Sequence, residues 1–471
     1  MKQICNPYLP SWEYVPDGEP HIFEGRVYVY GSHDKFNGFA YCMNDYVCWS
    51  APEGDLSDWR FEGVIYKKTS DPLNPDGHMC LFAPDVTAGP DGRYYLYYVL
   101  DKVSVVSVAV CDKPAGEYAF YGYVSYPDGT RLGEKDGDQP QFDPAVITEG
   151  KKTYLYTGFC GYGDKTRKGA MATVLADDML TITQEPVFVL PSQPYSEGSG
   201  FEGFEFFEAP SIRKHGDIYY LVYSSVSSHE LCYATSRNPA EGFKYGGVIV
   251  SNCDKHIGKY KKPEMTTYFA GNNHGGMVKA NGKWYIFYHR HTNGTNFSRQ
   301  ACAETIVIQE DGHIPQVEMT SCGLNGGPLE GKGEYPAYIA CSLFSKTEQN
   351  NYPLHHDSWM DGRFPKITQD GLDGDEEPGY IRNMRDSSIA GFKYFKCENI
   401  KKVTIKTRGY AHGCFEVKTA WDGEALASIA VGSSVIWMES SAEIKIPDGI
   451  WPLYFEFKGD GGMSLASFKL D

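Results

Sequence analysis

The stretch APDVTAGPDGRYYLYYV, residues 83–99, joins a short apolar strand to an alternating aromatic strand through a turn that contains glycine. This order of elements is typical of a β-hairpin. Four other stretches share it: EPHIFEGRVYVYGS (19–32), DPAVITEGKKTYLYTGF (143–159), APSIRKHGDIYYLVYSS (209–225) and HGGMVKANGKWYIFYHR (274–290). The sequence therefore contains five copies of one hairpin.

The hairpins recur at intervals of roughly 65 residues, measured between the central tyrosines Tyr28, Tyr95, Tyr154, Tyr219 and Tyr285. A repeat of that length accommodates a four-stranded sheet with its loops, and five such sheets packed radially form a β-propeller. A β-sandwich is the competing architecture, but its strands need not recur as matched hairpins. We therefore predict a five-bladed β-propeller over residues 1–320.

A second unit follows the repeats. Residues 321–340 are rich in glycine, which is typical of a linker. Residues 341–471 contain alternating runs separated by turn residues, among them KKVTIKTRG, GCFEVKTAW and PLYFEFKG. Such runs suit an antiparallel, jelly-roll-like β-sandwich. The expected fold class is therefore all-β, with a propeller, a linker and a β-sandwich.

Composition restricts the partners and the location. The 471 residues carry a formal net charge of −17 at pH 7, so we expect neither nucleic acid nor an anionic membrane surface as a partner. The sequence has no apolar run of membrane-spanning length and no signal peptide pattern at its start, which favours a cytoplasmic location. Its 13 cysteines lack metal-ligand spacing and are expected to be free thiols. The composition indicates no particular oligomeric state.

Acidic residues stand beside the prolines that open three of the predicted blades. They are Asp17 and Glu19 in VPDGEPHI, Asp143 in QFDPAVI and Glu208 in FFEAPSI. The first strand of a blade faces the propeller axis, so these side chains should converge on a central cavity. One explanation is that they cap turns. Buried carboxylates that meet at one axis repel one another, however, and this cost favours a catalytic role.

Glu208 stands close to three phenylalanines, Phe204, Phe206 and Phe207. Burial among apolar side chains raises the pKa of a carboxyl group, as a general acid that works near neutral pH requires. A second carboxylate that stays ionised could then activate water. The pattern favours acid–base chemistry by a pair of carboxyl groups.

At these residues the first 320 positions resemble the five-bladed propeller glycosidases of glycoside hydrolase family 43, the arabinofuranosidase and β-xylosidase group. The family pattern has an Asp at the opening of blade one, an Asp-Pro pair at blade three and a Glu two residues before the proline of blade four. Here the pattern falls on Asp17, Asp143 and Glu208. The resemblance implies that Asp17 is the general base, that Asp143 tunes the pKa of the acid and orients it, and that Glu208 is the general acid.

The position of the base has two candidates. Many family members have an Asp directly before the proline of blade one, where this chain has Glu19. Arabinoxylan-type members instead have an Asp followed by a His-Asp pair, a pattern that Asp17 reproduces with His33 and Asp34. We favour Asp17 as the base, keep Glu19 as the alternative, and treat Glu19 and His33 as candidate substrate-binding residues.

Two further matches lie in the fifth repeat. His274 in NNHGGMV resembles a family histidine that approaches a metal ion or a water cluster on the axis, so it becomes a candidate ligand of a structural Ca²⁺. No cofactor is expected for the chemistry. Arg299 in NFSRQACAE matches an arginine that reaches the sugar, and a guanidinium group suits sugar hydroxyls and a nearby carboxylate. The alternatives are a hydrogen-bonded structural histidine and a solvated surface arginine.

The C-terminal unit resembles family 6 carbohydrate-binding modules, most clearly from YIRNMRDSSIAGFKYF (380–395) onward. Trp437 is a candidate platform for a sugar ring, and a place in the core is the alternative.

Taken with the resemblance, the residues predict an inverting, exo-acting glycoside hydrolase that releases α-L-arabinofuranosyl or β-D-xylosyl residues from hemicellulose-derived oligosaccharides. Two alternatives stay open, a glycan-binding propeller without hydrolysis and a retaining, fructosidase-like hydrolase. Both pentoses also stay open, since the loops around the pocket decide between them.

Overall fold

The computed structural model describes residues 2–346 and 364–471. The structure of this part of the chain is built from β-strands, without an α-helix among the described residues. Within the described residues, four 3₁₀ helices of three residues each lie in the loops: Lys68–Ser70, Gln193–Tyr195, Gly323–Asn325 and Ala337–Ile339. No helix in the described ranges has the length and the apolar character that membrane crossing requires.

Five antiparallel sheets form the N-terminal domain. The first sheet contains β1 (Glu19–Phe23), β2 (Arg26–Tyr30), β3 (Tyr46–Pro52) and β4 (Arg60–Tyr66). The second contains β5 (Leu81–Ala88), β6 (Tyr94–Leu100), β7 (Ser107–Cys111) and β8 (Ala119–Tyr123). The third contains β9 (Ala145–Glu149), β10 (Lys152–Thr157), β11 (Gly169–Leu175) and β12 (Val187–Pro191).

The fourth sheet contains β13 (Phe206–His215), β14 (Ile218–Ser225), β15 (Leu231–Ser236) and β16 (Lys244–Val250). The fifth consists of β17 (Met277–Ala280), β18 (Lys283–His291) and β19 (Arg299–Ile306). In each sheet the strands follow one another in chain order, as in the blades of a propeller. The prediction of a five-bladed propeller is confirmed.

Each hairpin repeat forms the first two strands of one blade. The turn glycine has a positive φ in every repeat, from Gly25 (76°) to Gly282 (73°), a conformation that glycine adopts without steric cost. In β6 every residue is buried, because alternate side chains pack on two neighbouring blades. Tyr98 lies in a cluster with residues of the first blade, and Tyr97 lies in one with Leu155 of the third.

The propeller axis is filled by charged and polar side chains from several blades. Arg213 of β13 donates hydrogen bonds to Oε2 of Glu19 at 2.7 Å and to the carbonyl oxygen of Met277 at 2.8 Å. Asp85 accepts a hydrogen bond from the Val146 N–H at 2.8 Å and lies 2.6 Å from Nε2 of His21. These contacts join inner strands of all five blades.

The C-terminal domain is one large, sandwich-like β-sheet assembly. Its strands are β20 (Leu329–Glu330), β21 (Gly333–Pro336), β22 (Ser342–Ser345), β23 (Lys366–Thr368), β24 (Tyr380–Met384), β25 (Ser388–Cys397), β26 (Ile400–Lys418), β27 (Ala427–Val431), β28 (Ser434–Ile446) and β29 (Gly449–Leu470). The 22-residue strand β29 pairs with β21, β24, β25 and β26, so it connects most of the domain.

The expected linker, 321–340, is ordered in the structure. Within it, β20 pairs in parallel with β25, and β21 pairs antiparallel with β29. These strands therefore belong to the C-terminal domain, which begins at Leu329 rather than at position 341. Composition alone did not show this, because glycine-rich segments also form short paired strands.

The two domains share one hydrophobic core. A single cluster of buried side chains extends from Tyr220 and Ile286 of the propeller to Phe392 and Phe468 of the C-terminal domain. Next to it Lys393, which is fully buried, donates a hydrogen bond to Oδ2 of Asp254 at 2.5 Å. Apolar contact and a buried ion pair together fix the domains against each other.

Trp437 lies in β28 of the C-terminal domain. Its ring packs edge-on against Tyr380, with 5.3 Å between the ring centroids. The guanidinium carbon of Arg408 lies 4.3 Å above the indole ring. These side chains give Trp437 a packing role in the structure, and its candidacy as a sugar platform stays a prediction.

Candidate active site

A cavity of about 790 Å³ lies at the end of the propeller where the inner strands begin. Every blade contributes to its wall, for example through Asp17, Ala83, Asp143, Glu208 and His274. The volume is typical of sites that enclose small molecules. The fold thus brings the three predicted catalytic carboxyl groups into one cavity.

Asp17 is almost fully buried and has a left-handed backbone, with φ of 58°. Its N–H donates a hydrogen bond to Nδ1 of His289 at 3.2 Å. Its carboxylate oxygens accept hydrogen bonds from Nη1 of Arg299 at 2.9 and 3.2 Å. The guanidinium group stabilises the negative charge on Asp17, which suits a carboxylate that accepts a proton from water.

Arg299 is a buried cation behind Asp17. Its Nε and Nη2 donate to the two carboxylate oxygens of Asp34 at 2.8 and 2.9 Å. Burial alone would lower the pKa of Arg299, but the carboxylates of Asp17 and Asp34 raise it well above its ordinary value. Arg299 therefore stays charged. It also lines the cavity, the position expected of an arginine that reaches the sugar.

His33 does not line the cavity, in contrast to our expectation for a substrate-binding residue. Its Nδ1 donates a hydrogen bond to the carbonyl oxygen of Asp45 at 3.0 Å, so the ring anchors a loop. The neighbouring Asp34 is the residue of the His-Asp pair that reaches the site, through Arg299. The sequence pattern identified the pair but not which member points inward.

Glu19 is also absent from the cavity wall. Its Oε2 accepts hydrogen bonds from Arg213 at 2.7 Å and from the Ser211 hydroxyl at 2.9 Å, deeper along the axis. The positive charge of Arg213 contributes to holding the pKa of Glu19 below its ordinary value despite complete burial. Glu19 is placed as a structural carboxylate, which leaves Asp17 as the carboxylate of the first blade that faces the cavity.

Glu208 faces the cavity from β13, where the pairing with β14 shifts register on both sides of it. The next residue, Ala209, has a φ of 63°. Such a bulge redirects a side chain away from the regular alternation of a strand. Burial, and second the negative charge of Asp143, raise the pKa of Glu208 to about 8, so the group is protonated at neutral pH.

Asp143 lies beside Glu208. Its Oδ2 accepts a hydrogen bond from the N–H of Ala209 at 3.2 Å, and burial raises the pKa of its carboxyl group. Two carboxyl groups with raised pKa values in one buried site favour a state in which at least one of them holds a proton.

His274 lies between carboxylates. Its Nε2 is 3.6 Å from Oε1 of Glu19 and its Nδ1 is 3.9 Å from Oδ2 of Asp143. Burial alone would lower the pKa of His274, but the nearby carboxylates of Glu19, Asp143 and Asp17 raise it to about 9. Nε2 of His274 and Oε1 of Glu19 are both buried and have no hydrogen-bond partner among the described residues.

His289 was not identified from the sequence. Its Nε2 lies 2.8 Å from the carbonyl oxygen of Asn272, so this nitrogen carries the hydrogen and Nδ1 accepts from Asp17. Burial lowers the pKa of His289 well below its ordinary value, which keeps the ring neutral. His289 therefore fixes the backbone of Asp17 without adding charge.

One wall of the cavity is aromatic. Successive ring centroids are 5.6 Å apart from Phe82 to Phe142, 5.3 Å from Phe142 to Phe159 and 5.4 Å from Phe159 to Phe207. Of the three phenylalanines near Glu208 in the sequence, only Phe207 lines the cavity, while Phe206 packs in the core of the blade. Rings of this kind suit the apolar faces of sugars.

The C-terminal domain holds a loop of the cavity. Oδ1 of Asp373 accepts a hydrogen bond from the N–H of Phe36 at 2.7 Å, and its Oδ2 accepts one from Nδ2 of Asn44 at 3.1 Å. Between these two residues the loop carries Tyr41 and Cys42 into the cavity wall. This contact joins distant parts of the sequence and was not predicted.

The arrangement combines a protonated carboxyl group with a carboxylate that is paired to a fixed cation, in one partly closed cavity. Such a pair can donate a proton to a leaving group and accept a proton from water. Rings on one wall and hydrogen-bonding groups elsewhere suit a carbohydrate.

Comparison with known proteins agrees with this chemistry. The family model described as "Glycosyl hydrolases family 43" matches residues 17–314. A protein of Thermoclostridium stercorarium named "Xylosidase/arabinosidase" is 71% identical over 469 residues, which cover 100% of this chain and 99% of that protein.

Solved structures match as well. An arabinoxylan arabinofuranohydrolase of glycoside hydrolase family 43 from Bacillus subtilis is 18% identical, with a TM-score of 0.53 over 99% of this chain and 97% of that chain, and shows the fold of both domains. A β-xylosidase/α-arabinofuranosidase from a compost microbial metagenome, solved with xylotriose in a calcium-free form, is 26% identical, with a TM-score of 0.51 over 66% of this chain and 97% of that chain.

Proposed function

Because this chain belongs to glycosyl hydrolase family 43, we propose that it is an inverting, exo-acting glycosidase that releases α-L-arabinofuranosyl or β-D-xylosyl residues from hemicellulose-derived oligosaccharides. The observation that carries the proposal is the placement of Glu208, whose pKa is raised by burial and by Asp143, and of the cation-paired Asp17 in one cavity. The name of the relative at 71% identity supports both pentoses.

The proposed reaction uses the two carboxyl groups in one step. Asp17 accepts a proton from a water molecule, whose oxygen attacks the anomeric carbon of the terminal sugar. Glu208 gives its proton to the oxygen of the leaving group as the glycosidic bond breaks. Asp17 ends protonated and Glu208 ends ionised, so solvent must return both groups to their starting states.

Asp143 and Arg299 prepare these two groups. The negative charge of Asp143 favours the protonated form of Glu208. The carboxylate of Asp143 also accepts a hydrogen bond from the Ala209 N–H, which fixes the bulge that carries Glu208. Arg299 stabilises the ionised form of Asp17 and holds its carboxylate by two hydrogen bonds. Asp143 thus keeps the acid protonated, while Arg299 keeps the base ionised, as an acid–base pair requires.

The floor of the cavity supports an exo mode of action. Beneath it Glu19, Arg213 and Ser211 fill the propeller axis through hydrogen bonds of 2.7 and 2.9 Å. A sugar chain can therefore enter the cavity with its end, but it cannot pass through the axis. A closed floor of this kind is compatible with the release of single terminal residues.

The residues around His274 fit a cation that keeps much of its water. Oε1 of Glu19 is the unpartnered buried oxygen that would face it, and Ca²⁺ takes six to eight oxygen ligands, so water must supply most of them. His274, whose pKa the nearby carboxylates raise to about 9, would donate a hydrogen bond to that water rather than bind the ion. Hydrolysis itself needs no cofactor in this proposal.

We also propose a cytoplasmic location and short oligosaccharides as substrates. All 13 cysteines are free thiols in the structure, which supports a reducing compartment.

A panel of nitrophenyl glycosides tests the function. We expect turnover of the α-L-arabinofuranoside, the β-D-xyloside or both, and a product whose anomeric configuration is inverted relative to the substrate. Binding without turnover would indicate a glycan-binding propeller instead, and a product with retained configuration would indicate a double-displacement mechanism.

A further inference from the structure

Lys255 is a cation in the cavity wall without a carboxylate partner among the described residues. Its Nζ donates a hydrogen bond to the hydroxyl of Ser228 at 2.9 Å, and its side chain is partly exposed to the cavity. The other two cations of the wall differ, since Arg299 is paired with Asp17 and Asp34, and His274 lies between carboxylates. Lys255 therefore has unused capacity to bind an anion.

The acidic residues closest to Lys255 in its segment and in the facing hairpin are bound elsewhere. Asp254 accepts hydrogen bonds from Nζ of Lys393 at 2.5 Å and from the Tyr260 hydroxyl at 2.6 Å. Glu230 of the hairpin lies 3.0 Å from Nε2 of His256. Among the described contacts, Asp254 is paired with Lys393 and Glu230 with His256, and neither forms an ion pair with Lys255.

The position of Lys255 is fixed by its backbone. Its N–H donates to the Ser251 hydroxyl at 3.2 Å, and its carbonyl oxygen accepts a hydrogen bond from Nε2 of Gln316 at 2.8 Å. Its partner Ser228 has a φ of 56° and the next residue, His229, has a φ of 52°. Ser228 and His229 are the central residues of the tight turn between β14 and β15, which the hydrogen bond from the Glu230 N–H to the Ser227 carbonyl oxygen closes at 3.1 Å, so the turn fixes the position of Ser228.

Lys255 lies on the side of the cavity where the acid stands. Nδ1 of His229 is 3.8 Å from Oε1 of Glu208, and Ser228, which precedes His229, holds Lys255. Burial lowers the pKa of His229 to about 4, so this ring is neutral and Lys255 is the cation of this group. A general acid protonates the leaving-group oxygen, and the part of the substrate near Lys255 is therefore the leaving group.

We propose that Lys255 binds the carboxylate of a uronic-acid substituent on the leaving-group side of the cleaved bond, an inference that rests on the proposed glycosidase function. An ammonium group binds a carboxylate more strongly than it binds a neutral hydroxyl. The net charge of −17 opposes the approach of an acidic sugar chain, so acceptance of such a chain depends on a local cation. The enzyme thus trims acidic branched oligosaccharides as well as neutral ones.

The test compares two xylan-derived oligosaccharides of equal length that end in the pentose whose nitrophenyl glycoside the wild type hydrolyses, one neutral and one with a single glucuronic acid branch next to the terminal bond. For the wild type we expect a kcat/KM for the acidic substrate equal to or above that for the neutral one. In Lys255→Gln the ratio of acidic to neutral kcat/KM should fall roughly tenfold, through KM, because a charge-assisted hydrogen bond is lost. Added salt should lower the ratio in the wild type more than in the variant.

Lys262→Gln is the matched control, because Lys262 is exposed in the same segment and the variant changes the net charge by the same amount. It should leave the ratio as in the wild type. An equal loss on both substrates in Lys255→Gln, or exclusion of the acidic substrate by the wild type, overturns the proposal. Failure of the proposed function would look different, since the wild type would then hydrolyse neither substrate.

Discussion

Nδ1 of His289 accepts a hydrogen bond from the backbone N–H of Asp17 over 3.2 Å, and this contact holds Asp17 at a φ of 58°. We expect His289→Leu, which lacks the acceptor, to lower kcat by about tenfold or more with little change in KM, because a misplaced base fails in the chemical step. His289→Gln retains an acceptor and should recover part of the activity. Equal losses in both variants would indicate a packing role.

Removal of either carboxyl group that we propose as catalytic should nearly abolish turnover. General acid or base catalysis typically contributes about 10²–10⁴-fold, so we expect Asp17→Ala and Glu208→Ala to lose that much kcat. Glu19→Gln is the comparison, because Glu19 binds Arg213 below the cavity, and its main effect should be a lower Tm. A fully stable Glu19→Gln without activity, alongside an active Asp17→Ala, would reverse the assignment of the base.

The pH–rate profile should report the protonation of Glu208. Activity requires the protonated acid, so it should fall as the pH rises through about 8, where burial and Asp143 place the pKa of Glu208. Asp143→Asn removes the negative charge and should shift this limb to lower pH. The measurement is kcat/KM against pH for both proteins, and an unchanged or higher upper limb in the variant contradicts the assigned role of Asp143.

The raised pKa of Glu208 also predicts that the protein becomes more stable when this carboxyl group is removed. Folding raises the pKa of Glu208 from 4.5 to about 8, so the carboxyl group favours the folded state fully at low pH and loses this contribution as the pH rises across that interval. Glu208→Gln cannot ionise, and its Tm should therefore exceed that of the wild type increasingly from pH 5 to pH 8. Glu197→Gln, at an exposed position of the connection between the third and fourth blades, should not show this trend.

Asp373 should link the C-terminal domain to substrate binding. Asp373→Ala removes the acceptors of the Phe36 N–H and the Asn44 amide, so the loop with Tyr41 and Cys42 loosens and KM should rise several-fold more than kcat falls. Glu377→Ala, at an exposed position of the same segment, is the control. If Asp373→Ala lowers only the Tm and leaves KM unchanged, the contact is purely structural.

The sequence predicted the features that are local or repeated. The five hairpins predicted the propeller because a repeat of fixed spacing restricts the architectures available. The convergence of Asp17, Asp143 and Glu208 on one cavity was also predicted, because each stands at the start of an inner strand, whereas their catalytic roles stay a prediction. The second domain was recognised from its alternating strands. Its first strand, at Leu329, was placed in a linker because a two-residue strand carries no alternation.

The residues that were missed act through contacts between distant positions. His289 lies 272 residues from Asp17, and Asp373 lies 337 residues from Phe36, so no local pattern reports either contact. Glu19 was kept as a candidate because it stands directly before the proline of the first blade, as Asp143 does before the proline of the third. In the structure Glu19 instead forms an ion pair with Arg213 of the fourth blade. This contact depends on the three-dimensional position of Arg213, which the sequence around Glu19 does not show.

The hydrophobic core that extends from Ile286 to Phe468, with the buried pair of Lys393 and Asp254 beside it, has a consequence for how this protein evolves. A carbohydrate-binding module on a loose tether can be exchanged between enzymes by recombination. Here each half would expose apolar surface and an unpaired buried charge if it were separated. A change of the C-terminal half therefore requires matching changes on the propeller side, and chimaeras that replace only the C-terminal half should fail to express as folded protein unless residues on the propeller side are replaced with it.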